Sequence, residues 1–441
     1  MADHGRTAPG AGRAAPGPLP RRGFLALLAP ALLAGCDAAQ NPENPESAES
    51  PESPESAESA ESAESAASPD GGSRGDRRTR TGVQRALDRR AGAALAGDEH
   101  TYLAAFAPEA TAVRETARRE FRNRTELPVS TWEYRVRTAG RRGRAAVAEA
   151  ELRYRIGGPD TEPLSTLRTL ELRLDGDRWL VTGDRAAPGA LPQLWQQGPV
   201  RVGRGRHALV LAVGQDPARV SAVAARADRA VPAVTAVWPE PWDRRPLVLL
   251  PASLEAMGAL LGRPAAGFAG VAAVTTADGG RVVVNPVAYG QLPAFGQQIV
   301  LTHETTHLAT RAHTTATTPM WLSEGYAEWV AHRDTGRTPA ETAPVLHRAV
   351  TRGEPPTALP SAADFAFGGG PDALARAYEG GWLACATVAD RWGTRELTRL
   401  YRAAARRPVD AALREVLGVG TAEFTEGWRA HLTDRLGEAA G

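Results

Sequence analysis

Four consecutive segments in the first half of the chain have a strand pattern, and in several of them apolar and polar residues alternate. They run from Trp132 to Thr138, Ala145 to Ile156, Ser165 to Leu174 and Arg178 to Thr182. A period of two is typical of strands that bury one face. Segments with a helical pattern precede them, Val83 to Leu95 and His100 to Phe106. Helices followed by a curved antiparallel sheet predict an α+β layer over residues 81–195.

A cluster of Pro, Gly and Gln between Pro188 and Pro199 predicts a domain boundary, so that a second domain covers residues 200–441. Its first part predicts a small mixed sheet with Ala208 to Val213 and Leu247 to Leu250, separated by a helix near Ala218 to Val231. Its last part predicts a helical lobe: Leu374 or Tyr378 to Trp392, Thr394 to Ala405, Val409 to Leu417 and Thr421 to Leu436.

A β-hairpin is predicted between these two parts. Val271 to Thr275 and Arg281 to Asn285 are apolar, and the residues between them include Asp-Gly-Gly, which favours a tight turn. We expect Arg281 to Asn285 to be an edge strand, available to pair with an extended peptide.

The helix predicted after the hairpin carries the chain's most informative motif. Pro293 can open it, and Ile299, His303 and His307 then lie along one buried stripe that begins at Phe295. Residues 303–307 read His-Glu-Thr-Thr-His, which places two imidazoles one turn apart on one face, as a single zinc ion requires. Glu304 lies beside that metal. The alternative is a pair of hydrogen-bonded core histidines.

A second helix is predicted to return toward these histidines. Thr318 is its expected N-cap, Pro319 its first residue and Gly336 its end. The segment from Leu308 to Thr318 has little apolar periodicity and predicts a connection between antiparallel helices. This arrangement brings Glu324 close to the two histidines.

Residues 303–307 together with residues 321–327, Trp-Leu-Ser-Glu-Gly-Tyr-Ala, resemble the gluzincin metallopeptidases of the peptidase MA-like group. The resemblance covers roughly Arg201 to Leu436. It implies that His303, His307 and Glu324 bind Zn2+, that Glu304 is the catalytic base, and that the substrate is a peptide or protein. Zinc would acidify a bound water and polarise the scissile carbonyl.

Further site residues are predicted around this set. Glu328 lies one turn beyond Glu324, where it could accept the second N–H of a ligand histidine; a solvated carboxylate is the alternative. Tyr378 resembles the tyrosine that related gluzincins place opposite the zinc, and a core tyrosine is the alternative. His313, Tyr326 and His332 compete for the same role.

One branch of the family is not supported. Gluzincin aminopeptidases carry Gly-x-Met-Glu-Asn before the zinc helix, whereas the three methionines here, Met1, Met257 and Met320, occur in other contexts. The sequence therefore favours an endopeptidase over an exopeptidase.

The N-terminus predicts export and lipid anchoring. Arg21 and Arg22 precede the apolar run from Phe24 to Leu33, and Leu-Ala-Gly leads into Cys36. Residues 1–36 resemble a bacterial lipoprotein signal with Cys36 as the lipidated residue. A non-lipidated secretory signal is the alternative. The run of about ten residues is too short to span a bilayer, and the twin arginines leave the export route open.

Residues 37–80 predict a disordered stalk that holds the folded part away from the membrane. Pro-Glu-Ser and Ala-Glu-Ser repeats fill Asn41 to about Pro69 with almost no apolar content, so they cannot offset the loss of chain entropy. A basic piece from Arg74 to Arg80 follows. The formal net charge of only +1 gives no indication of nucleic-acid binding.

The region 97–106 resembles the early helices of the SnoaL-like (nuclear-transport-factor-2-like) cone fold, which implies an accessory or positioning domain. That fold hosts both enzymes and binding modules, so the resemblance does not indicate a function. Asp98 and His100 could form an acid–base pair, but surface roles are favoured. The second cysteine, Cys385, is predicted to be a buried apolar residue.

Together these features predict a zinc metallopeptidase tethered outside the cytoplasm of a bacterium. The alternative is a non-catalytic cell-surface binding lipoprotein whose metallopeptidase domain is degenerate. The intact set of His303, Glu304, His307 and Glu324 favours the enzyme.

Overall fold

A computed structural model describes residues 69–277, 279–366 and 371–437. The predicted signal with Cys36 and residues 37–68 of the predicted stalk lie outside the described residues. The described part is α+β, with an antiparallel sheet, a mixed sheet and a run of C-terminal helices. The coarse fold class is therefore the predicted one.

Three helices and four antiparallel strands form the first unit: α1 (Pro69–Ala96), α2 (Glu99–Leu103), α3 (Thr111–Glu126), β1 (Val129–Arg142), β2 (Ala145–Ile156), β3 (Leu164–Asp175) and β4 (Arg178–Ala186). Helix α1 begins before the predicted end of the stalk at residue 80, because Thr79 is already buried with Val83. The prediction missed α3, whose buried Ala117 and Phe121 are a helical turn apart amid arginines.

An ion cluster lies inside this unit, between α1 and the sheet. Asp184 Oδ2 is 2.7 Å from Arg90 Nη1, and Asp184 Oδ1 is 2.7 Å from Arg168 Nη2. All three side chains are buried. One carboxylate thus pairs with two guanidinium groups that water does not reach, so each depends on the others.

The second unit opens with a five-stranded mixed sheet and its covering helices: α4 (Leu194–Gln197), β5 (Val200–Arg204), β6 (Leu209–Val213), α5 (Pro217–Thr235), β7 (Leu247–Leu250), α6 (Leu254–Leu261), β8 (Ala273–Thr275), β9 (Arg281–Val284), α7 (Ala288–Gln291) and α8 (Ala294–Thr310). A 3-10 turn at Ala265–Phe268 precedes β8. Helices α5 and α8 pack against the same face of this sheet, where Val210, Val248 and Val282 form a core with Val300.

The hairpin is confirmed, but the prediction that its second strand is the edge was wrong. The strand order is β5-β6-β7-β9-β8. Strand β9 pairs in parallel with β7 on one side and antiparallel with β8 on the other, so its backbone is used on both sides. Strand β8 is therefore the edge next to the zinc-motif helix.

Helices make up the rest: α9 (Met320–His332), α10 (Pro339–Thr342), α11 (Pro344–Thr351), α12 (Pro371–Trp392), α13 (Thr394–Ala404), α14 (Val409–Leu417) and α15 (Thr421–Gly437), with 3-10 turns at Arg311–His313 and Ala362–Phe365. Pro319, not Thr318, is the N-cap of α9, and Thr318 instead accepts a hydrogen bond from the Thr315 amide. Helix α9 ends before Gly336. Helices α13, α14 and α15 follow the predicted ranges within one residue, and α12 begins at Pro371, before both of its predicted starts.

Side chains of the first unit fix it against the second. The Asn123 amide group donates to the carbonyls of Trp195 and Gly198 at 2.7 Å each and accepts from the Val200 amide at 2.8 Å. Asn123 is only 4% exposed, so water does not reach these backbone groups of the connecting segment. The Asn123 side chain satisfies them instead.

Candidate metal centre

Helix α8 supplies the two histidines from its most buried part. Every residue from Ile299 to Thr310 is buried. The hydroxyls of Thr305, Thr306 and Thr310 would be costly in such a setting, but each donates to a backbone carbonyl four residues earlier. The polar residues left to interact across this buried surface are His303, Glu304 and His307.

Helix α9 runs antiparallel to α8 and brings its carboxylates to the histidines. His307 contacts Glu324, whereas His303, one turn earlier, contacts both Glu324 and Glu328. On its other side α9 lies against α12 at Gly325. A Cβ at Gly325 would be 2.2 Å from the Gly381 carbonyl oxygen, so only glycine permits this approach.

Three ligand-type atoms converge between the helices. His303 Nε2 is 2.9 Å from His307 Nε2, and Glu324 Oε2 is 3.3 Å and 3.4 Å from these nitrogens. With zinc–nitrogen and zinc–oxygen bonds of about 2.0–2.2 Å, the ligands of a tetrahedral ion are about 3.3–3.6 Å apart. The two distances to Glu324 match this range, and the 2.9 Å between the imidazole nitrogens is shorter. The three atoms therefore have the chemistry and roughly the separation that one zinc ion would use.

Glu324 provides a test of that fit. Its side chain is fully buried, and neither carboxylate oxygen receives a hydrogen bond from the described residues. The contacts of 3.3 and 3.4 Å are longer than charge-assisted hydrogen bonds, which are about 2.7–2.9 Å. A buried carboxylate without donors is costly, and a cation between it and the imidazoles would remove that cost. The residues present fit a zinc ion.

The charges around the three donor atoms also favour a cation at this site. Burial by itself would lower the pKa of His303, but the carboxylates of Glu324 and Glu328 outweigh it and raise that pKa. Burial would raise the pKa of Glu324, yet the imidazoles of His307 and His303 lower it. The site thus favours positive charge between the helices, which either protons or a metal cation can supply.

Glu304 lies apart from the three converging atoms and is held by the edge strand. Thr275 of β8 donates its hydroxyl to Glu304 Oε2 at 2.6 Å. Burial raises the pKa of Glu304, although the neighbouring histidines oppose this. Sequence reasoning found the strand but missed Thr275, for which its position at the end of the strand before the motif was the only signal.

Glu328 is buried, so the alternative of a solvated carboxylate is wrong. Its Oε1 is 3.0 Å from His303 Nδ1, the ring nitrogen that faces away from Glu324. Its Oε2 is 3.3 Å from His332 Nε2. His332, one of the competitors of Tyr378, therefore reaches the site only through Glu328.

The structure separates the remaining tyrosine and histidine candidates. The Tyr378 ring, on α12, is 6.3 Å from the His303 ring and is buried. Tyr326 donates its hydroxyl to the Val237 carbonyl in the helical core, and His313 lies against Trp238. Of these three, Tyr378 is the one beside the metal-type donors.

Two residues outside the site have plain structural roles. Asp98 is the N-cap of α2 and accepts a hydrogen bond from the Thr101 amide at 2.9 Å, while His100 is exposed. Cys385 is a free, buried thiol, and burial raises its pKa.

Within the described ranges, no helix is both long and apolar enough to cross a membrane.

Comparisons with family models, with curated proteins and with solved structures found no match to this chain.

Proposed function

We propose that this chain is a zinc-dependent endopeptidase, tethered outside the cytoplasm by a lipid on Cys36. The observation that carries the proposal is the convergence of buried His303, His307 and Glu324, with Glu304 next to His303 in sequence and buried in the same helix. His303, His307 and Glu324 would hold the ion. When bound, zinc supplies an acidic water and polarises the carbonyl of the substrate.

The residues of the chain then perform the proton transfers. Glu304 accepts a proton from the attacking water as the new C–O bond forms, and passes it to the leaving amine as the C–N bond breaks. The Thr275 hydroxyl donates to Oε2 of Glu304 and holds the carboxylate in place, so that the other carboxylate oxygen has a defined direction.

Strand β8 supports a peptide as the substrate. As the edge strand, it can pair with an extended chain, and Thr275 in that strand contacts the proposed base. Tyr378 is the proposed donor to the developing oxyanion, because its ring adjoins His303.

The test combines metal content with hydrolysis on protein purified in mild detergent. We expect about one zinc per molecule in the wild type and in Glu304→Gln, and none in His303→Ala. His313→Ala is the matched control, because this histidine lies outside the donor set, and it should keep its zinc. Glu304→Gln should lose hydrolysis by about 10²-fold or more, since the base goes while the ligands stay.

The outcomes separate the proposal from its alternative. A zinc-binding wild type that cleaves no peptide in a broad library would favour the non-catalytic binding lipoprotein. Full hydrolysis by Glu304→Gln would contradict the assigned base, and a metal-free wild type under zinc-replete conditions would contradict the metal site.

A further inference from the structure

A large cleft lies between the first unit and the mixed sheet. Its volume is ≈ 970 Å³, at the upper end of the range of ligand-binding pockets. Leu249, Val274 and Val283, from three adjacent strands, line it on the sheet side. The other walls come from β2, β3, the segment before α4 and the end of α6. Both units are needed to form it.

An ion pair fixes the first unit at the end of this cleft. Arg281 of β9 extends its Nη1 to within 2.5 Å of Asp160 Oδ1, in the turn between β2 and β3. The two side chains are only 9% and 2% exposed. Because a buried pair is costly to break, the two units keep a fixed separation here, and the cleft is preformed.

The cleft continues into the candidate active site through the edge strand. Val274, Thr275 and the residues just after them line the cleft, while the Thr275 hydroxyl contacts Glu304. The Thr276 amide donates to the Arg281 carbonyl, and Asn285 donates to Ala272, so these residues face β9. Val274 faces β9 by the same alternation, whereas Ala273 and Thr275 direct their backbone groups away from it. Ala273 is only 2% exposed, so half-buried Thr275 is the residue of β8 that offers its backbone to an added chain.

Apolar side chains are exposed along the wall opposite the sheet. Five large apolar residues are exposed among those that the structure describes, and two of them, Leu167 and Leu191, line this cleft. They are 37% and 42% exposed. Half-buried Leu260, Leu261 and Phe268 extend the same apolar lining. Covering these surfaces would be favourable, at about 25 cal/mol per Å².

We propose that this cleft binds the bulky apolar side chains of an extended polypeptide substrate, and that the first unit thereby sets the specificity of the enzyme. A chain paired with β8 continues the sheet, so its successive side chains point to opposite faces. One set faces α8 and the proposed metal. The other set enters the cleft beneath Leu167 and Leu191. This inference rests on the proposed function, because it deepens the description of the same substrate site.

The test uses the full chain and two fluorescein-labelled octapeptides, one alternating Leu and Ser and the other alternating Ala and Ser. Anisotropy measures binding to the Glu304→Gln protein, and chromatography measures cleavage by protein with Glu304 intact. Both assays are repeated with the double change Leu167→Asp and Leu191→Asp. Leu95→Asp is the matched control, because Leu95 is 47% exposed on α1 and lies outside the cleft.

We expect the Leu peptide to be preferred, and the double change to reduce that preference about tenfold or more, since apolar pockets discriminate on this scale. Leu95→Asp should leave it unchanged. Equal binding of the two peptides, or a preference that survives the double change, overturns the proposal. Competition with oleate is a further check: oleate that binds in the cleft without displacing the Leu peptide would also overturn it.

Failure of the proposed function gives a different result. If the Leu peptide binds with the expected dependence on Leu167 and Leu191 but is not cleaved, the apolar subsite stands and the hydrolase does not. If both peptides are cleaved at equal rates by every variant, the hydrolase stands and the subsite does not.

Discussion

The contact between Glu328 and His303 predicts how tightly the proposed site would hold zinc. Glu328 Oε1 is 3.0 Å from His303 Nδ1 as an ion-pair contact that is not aligned as a hydrogen bond here; a small rotation would let the carboxylate accept from Nδ1–H and fix the tautomer that presents Nε2 to a metal. A hydrogen bond to a charged group contributes about 1.5–3 kcal/mol, and a neutral one about 0.5–1.5 kcal/mol. Replacing the carboxylate by an amide therefore costs about 1–1.5 kcal/mol of zinc binding.

In terms of affinity, we expect Glu328→Gln to weaken zinc binding about tenfold. Glu328→Ala removes the whole interaction and should weaken it about ten- to a hundredfold. His332→Gln is the control, because His332 contacts Glu328 through Oε2, at 3.3 Å, and not through the oxygen that faces His303. Competition with a fluorescent chelator measures each Kd, and the unfolding temperature of the zinc-free proteins reports separately on packing.

The order of the three affinities is the decisive result. A Glu328→Ala protein that binds zinc as tightly as the wild type would refute the idea that Glu328 orients a ligand. If His332→Gln weakens zinc binding as much as Glu328→Ala does, the pair of Glu328 and His332 determines the affinity, and the contact between Glu328 and His303 does not.

Two further predictions concern stability and location. Asp184→Asn should lower the free energy of unfolding by about 3–5 kcal/mol, because it leaves two buried guanidinium groups without their partner. The control is Glu171→Gln, which breaks a 2.7 Å ion pair with Arg185 on the same sheet. Both side chains of that pair are about half exposed, so the change should cost about 1 kcal/mol or less. If urea unfolding shows equal losses of stability for the two variants, burial does not have the role assigned to it. Cys36→Ser should release the protein from the membrane fraction, whereas Cys385→Ser should not. Membrane retention of Cys36→Ser would count against lipid anchoring.

The sequence was most informative where the responsible physics is local. Alternation of apolar residues located β2 and β3 almost to the residue, and apolar periodicity with stop signals located α13 and α14. The spacing of His303 and His307 places them on one face of any helix, whatever surrounds it. A short connection to the next helix was enough to predict that Glu324 returns to them.

The tertiary structure decided what depends on partners distant along the chain. Whether β8 or β9 forms the edge depends on which strand pairs with β7, and no periodicity within the hairpin records that choice. The role of Thr275 follows from this order, since Thr275 of the edge strand contacts Glu304. Burial of Glu328 likewise depends on α9 packing between α8 and α12, and the cleft exists only because a separate unit faces the sheet. Local sequence fixes which side chains share a face, whereas non-local packing fixes what each face meets.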